Sequence, residues 1–160
     1  MTTRSDFSAE EWTRVVRAPL VAGMAISLAD PGGPIEMGKE TVASMKTATN
    51  PPSREQLLAE VALEIQGEVQ QRRNPLKGFK PTAAGTSPGE QVLEELRAVA
   101  AIVAAQATPE EAAAFGAWLV ASAQAAADAA KEGGFMGFHA VRVSEREQEM
   151  LDQVRDAVAG

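Results

Sequence analysis

Four stretches of the chain repeat apolar residues every three or four positions. Trp12, Val15, Val16, Pro19, Gly23 and Ile26 share one face near the start, and Leu58, Val61, Ala62, Ile65 and Val69 form a second stripe. Val92, Leu93, Leu96, Val99, Ala100 and Val103 form a third, and Met150, Leu151, Val154, Ala157 and Val158 a fourth. Such spacing keeps apolar side chains on one face of an α-helix. No run alternates apolar and polar residues as a half-buried strand does, and tyrosine is absent. Helix start signals agree with the stripes. A Ser or Thr followed three residues later by Glu or Gln satisfies two orphan backbone donors reciprocally. The pattern occurs at Ser8/Glu11, Ser53/Gln56, Ser87/Glu90, Thr108/Glu111 and Ser144/Glu147. Pro88 and Pro109 stand at first helical positions, where a missing N–H costs nothing. Pro19 lies inside the first pattern and is expected to kink or split that helix. A shorter helix is expected after Pro34, from about Ile35 to Ala48. The fold class predicted is all-α: one domain over residues 1–160, a bundle of about six helices with no sheet.

Breaks separate these helices. Asn50-Pro51-Pro52 is a rigid stop, and NPLKGFKPTAAGTS, residues 74–87, reads as an irregular connection: a lid, a wrapping loop or a mobile linker. Alanine is dense from Ala98 to Ala130, and small side chains let helix axes approach closely. The fifth helix, carrying Phe115 and Trp118, is therefore the expected centre of the bundle. The first and fifth helices also share a design. Each starts near an aromatic, Trp12 or Phe115, and runs into a glycine-containing loop, DPGGP or GGFMG, before a new acidic helix start. That echo suggests two pseudo-repeated helix–loop–helix units.

Composition narrows the function classes. With 160 residues and no cysteine, the chain has core enough without disulfides, and it has no thiol nucleophile or zinc-thiolate site. A net charge of −7 repels a phosphate backbone, so no nucleic-acid partner is expected. The charge-free runs from Ala18 to Ala29 and from Ala112 to Ala127 are too short or too weakly apolar to span a bilayer. The opening MTTRSDFSAEEW is polar and acidic, unlike a secretory signal. The expected location is the bacterial cytoplasm.

Ala29-Asp30-Pro31-Gly32-Gly33, followed by Glu36 and Glu40, resembles the TerB-like, tellurite-resistance-associated all-helical bacterial domains. VRVSEREQEMLDQVRDAVAG resembles the closing helix of the same fold. In that family acidic loop residues are associated with metal binding, so the resemblance implies a divalent cation at Asp30, Glu36 and Glu40. Pro31 interrupts the usual Asp-Gly pair, and Gly133-Gly134 stand where a second acidic loop residue is expected. The functional expectation is a non-enzymatic binding or interaction protein, in stress response by family likeness. Two alternatives stay open: a metal-dependent enzyme with carboxylate ligands, and a purely structural dimeric module. The Asp30–Glu40 segment lacks the alternating ligands of an EF-hand. Without a metal, Asp30 starts a turn and the two glutamates favour a helix N-terminus.

The segment GGFMGFHAVRVSERE, residues 133–147, combines glycines, two phenylalanines and the chain's one histidine. Gly133 and Gly134 suit a helix C-terminus, with Phe135, Phe138 and Val141 folding back onto the core. The alternative is an outward surface of Phe135, Met136, Phe138 and His139 that meets a protein partner or a second copy of the chain. His139 reads as a polar loop residue rather than a proton shuttle, and no nucleophile-elbow sequence accompanies it. Glu60, Glu64 and Glu68 share a helix face. A di-iron site needs two Glu-x-x-His motifs, so the row reads as a solvated acidic face continued by Arg72. No phosphate loop or dinucleotide fingerprint occurs.

Overall fold

In the computed structural model, residues 2–29, 43–79, 81, 87–132 and 145–159 are described. A 3-10 turn, Arg4–Asp6, leads into α1, Ala9–Ala29. Residues 43–48 are helical and form α2. Then come α3, Gln56–Gln70, α4, Pro88–Gln106, α5, Pro109–Glu132, and α6, Glu145–Val158. Among the described residues there is no strand, and the protein is an all-α bundle of six helices. No helix among them is long and apolar enough to cross a membrane.

The predicted start signals act locally. The Ser8 N–H donates to Glu11 Oε1 at 2.9 Å while the Glu11 N–H donates to Ser8 Oγ at 3.1 Å. The Thr108 and Glu111 pair repeats that exchange, both bonds at 3.2 Å, and opens α5. At α4 the Ser87 hydroxyl accepts from the Glu90 N–H at 3.3 Å, but the Glu90 carboxylate turns to Arg97 instead, at 3.0 Å. Ser53 does not cap α3. The N-cap is Glu55, two residues beyond the expected one, and Gln56 donates forward to Glu60 Oε1 at 3.3 Å. Ser144 lies outside the described residues, as do residues 35–42 of the helix expected from about Ile35 to Ala48.

α1 occupies the centre of the bundle and contacts α3, α4, α5 and α6. Its residues from Val15 to Gly23 are buried without a break. α5, the expected centre, shares that place: it contacts α1, α3, α4 and α6, and Phe115, Trp118 and Leu119 on it are buried. Its opposite face is open at Ala113 and Ala117, since alanine fits a close contact and an exposed face equally well. α1 also runs unbroken through Pro19, which is buried, so the helix is not split there. Proline leaves one carbonyl unpaired, and packing on every side of this segment offsets that cost.

Two contacts seat α2. A Cβ added to Gly23 would fall 2.7 Å from the Ser44 Cβ, closer than real Cβ atoms come. Glycine is therefore required where α1 crosses α2. Ser44 is itself buried, and its Cβ moves only with its backbone. Gly23→Ala should cost about 1–3 kcal/mol, as overpacking does. Chemical denaturation checks this; an unchanged midpoint would show that the crossing is looser than described. From the other side, the Trp118 Nε1–H donates to the Thr47 carbonyl at 2.8 Å.

α3 packs through Leu57, Leu58, Val61, Ala62 and Ile65, while Val69 at its end is 42% exposed. It closes with Arg72 at φ 57°, the Arg73 N–H reaching back to the Glu68 carbonyl at 2.8 Å. This six-to-one bond usually brings glycine to the left-handed position. Residues 74–79 then make irregular turns, as expected for this connection.

Candidate functional site

The residues singled out in the sequence fall into two groups. Asp30, Glu36 and Glu40, the expected cation ligands, lie outside the described residues, as do Phe135, Met136, Phe138 and His139. The acidic row on α3 is described and is more than a solvated face. The Arg4 N–H donates to Glu60 Oε2 at 2.8 Å, and the Arg4 side chain approaches Glu64 at 3.9 Å. Arg73 rather than Arg72 pairs with Glu68, at 3.4 Å, because the chain reverses at Arg72 and brings Arg73 back over Glu68. The row thus anchors the N-terminal turn. No group of three or more His, Cys, Asp or Glu residues suited to a metal occurs among the described residues.

Two arrangements arise from residues distant in sequence. The first is a charged centre between α1 and α4. Arg14 grips Glu95 with two bonds, Nε to Oε1 at 2.9 Å and Nη2 to Oε2 at 3.0 Å. Arg17 adds a third contact to Oε1 at 3.5 Å. The Arg17 guanidinium also donates to the Lys77 carbonyl at 3.3 Å and lies 5.5 Å from the Phe79 ring centre. Burial pushes the Glu95 carboxyl up, but the bonds and charge of Arg14 and Arg17 outweigh it and hold the carboxyl below its ordinary value. This centre straps the 74–79 segment to the bundle. Its one acid and two bases pair with each other, so it is structural.

A similar balance holds Glu111. Burial raises it, while the Thr2 hydroxyl and N–H and the Thr108 N–H lower it further than burial raises it. The Thr2 N–H donates to Glu111 Oε1 at 3.0 Å, and its hydroxyl donates to Oε2. Both residues are buried, so the first residues of the chain are fastened to the start of α5.

The second arrangement is concave and apolar. Between the last turns of α4, the first half of α5 and the end of α6 lies a groove of about 620 Å³. Val103, Phe115 and Leu119, all buried, form its floor. Ala100, Ala104, Ala113, Ala117, Val120 and Val158 form its walls. α6 ends beside Gly116, where an added Cβ would make an ordinary contact with the Val158 carbonyl oxygen at 3.4 Å. Arg155 is the one charged lining residue among those described. Phe115 is held by an edge-on contact with Trp118, ring centres 5.9 Å apart at 88°. The lining therefore sits on helices.

One signal in the sequence pointed to this groove. Between Arg97 and Glu110, and again from Ala112 to Ala127, there is no charge at all. Two adjacent helices thus present charge-free faces, although 23% of the chain is charged. Compared with known family models, curated proteins and solved structures, the chain matches none.

Proposed function

We propose that this chain is a non-enzymatic binding protein whose working surface is the groove between α4, α5 and α6. The observation that carries this reading is an open apolar hollow of about 620 Å³ with a single charged residue on its lining. Ligand sites are concave, mostly apolar, largely pre-formed, and roughly 300–1,000 Å³ in volume. A neutral fluorescent dye such as Nile red tests the reading. One dye should bind per chain, and Ala117→Trp, which fills the groove from an exposed position, should abolish binding without lowering Tm. Dye binding that survives Ala117→Trp would remove the groove from consideration.

The TerB-like resemblance of residues 29–40 and of the closing helix supports placing this binding activity in bacterial stress response. A divalent cation held by Asp30, Glu36 and Glu40 belongs to the same proposal. Calcium should then raise Tm by mass action, and Asp30→Asn should remove the gain. An identical shift in the variant would reject that cation site.

A further inference from the structure

We propose that the groove takes an apolar monocarboxylate, its hydrocarbon lying on Val103, Phe115 and Leu119 and its carboxylate on Arg155. The inference rests on the groove being the binding surface and adds the chemistry of what it binds. The described lining residues carry no acid, amide or hydroxyl side chain, so recognition by side chains there has two sources. One is removal of hydrocarbon from water, and the other is the Arg155 charge. A ligand with further polar groups would leave them without partners, which costs affinity.

Arg155 is suited to a second carboxylate. Its Nη1 donates to Asp152 Oδ1 at 3.1 Å, one turn back on α6. A guanidinium has five N–H donors in a planar fork, so one acceptor does not exhaust it. The side chain is 48% exposed and stands at the groove edge, where a bound carboxylate remains partly hydrated. The complementarity is local. The chain as a whole carries −7, which draws cations to its surface, yet the one charged lining residue among those described is positive. A ligand chosen by the groove and not by the overall field is therefore an anion.

The test is a methyl-detected NMR titration of the full chain with decanoate, octanoate, decanol and decyltrimethylammonium, each below its aggregation threshold. Decanoate should shift the methyls of Val103, Leu119 and Val158. It should bind roughly tenfold tighter than octanoate, since two further methylenes leave water. Arg155→Gln should weaken decanoate about three- to fivefold, as expected for a partly exposed ion pair, and leave decanol unchanged. Decyltrimethylammonium should bind weakest of the ten-carbon probes. Decanol matching decanoate, or indifference to Arg155→Gln, would overturn the carboxylate while leaving the groove as a binding surface. No shift with any probe would overturn both. If the same methyls shift with protein concentration alone, a second copy of the chain fills the groove and the proposal fails.

Discussion

Trp118→Ala should lower unfolding free energy by about 3–5 kcal/mol, a large part of the roughly 5–15 kcal/mol a domain of this kind possesses. The ring is fully buried and makes an edge-on contact with Phe115, so its removal leaves a cavity beside a second aromatic. The loss is also polar. The Thr47 carbonyl accepts the indole N–H at 2.8 Å, and without it the end of α2 loses its bond to α5. Trp118→Phe separates the two effects. It retains most of the apolar bulk and removes the donor, so about 1–3 kcal/mol should remain as the cost of the orphaned carbonyl. Urea unfolding with an unchanged m-value measures both. If alanine costs under about 1 kcal/mol, the seating of α2 against α5 is wrong.

Glu95→Gln should be nearly as damaging, about 3–5 kcal/mol, because it strands two guanidinium charges next to each other, one of them nine-tenths buried. Removing the charges together should recover much of that loss. Glu95→Leu with Arg17→Met leaves Arg14, whose side chain is 29% exposed and able to turn to water. A double-mutant cycle reads the coupling. The acid limb of stability gives a second measurement. The folded-state Glu95 carboxyl lies below its ordinary value, and so does that of Glu111. Each contributes stability that is fully present above the ordinary carboxylate range. That contribution is lost as pH falls from this range through the depressed folded-state values. Glu95→Gln should therefore show a shallower acid limb, with the Glu111 share left in place. An acid limb as steep as that of the wild type would show that Glu95 does not carry this charge coupling.

The helices were legible because their signals are local. Ser8, Ser87 and Thr108 accept the bonds that their spacing predicts, and Leu58, Val61, Ala62 and Ile65 are buried together. Ser53 failed because two prolines precede it and the turn is completed by a helix starting at Gln56. The centrality of α1 was less legible, since Pro19 argues against a long buried helix while the unbroken run around it argues for one. The Arg14–Glu95 pair spans 81 residues, and no local pattern announces it. Its trace in the sequence is two arginines set among the apolar positions of the first stripe. The groove is likewise assembled from three helices, and its trace is a missing feature: two neighbouring runs without charge.

The enclosure of α1 has a consequence for how the chain is made. Its buried run is synthesised before α4, α5 and α6, which cover most of it and follow many residues later. At about 5–20 residues per second, α1 waits roughly 5–20 s before α5 is complete. During that interval Val15, Val16, Leu20, Val21 and Ile26 have no native partner from those helices. The first helix is thus the segment most open to aggregation during synthesis. An N-terminal fragment ending before α4 should pellet where the whole chain stays in solution.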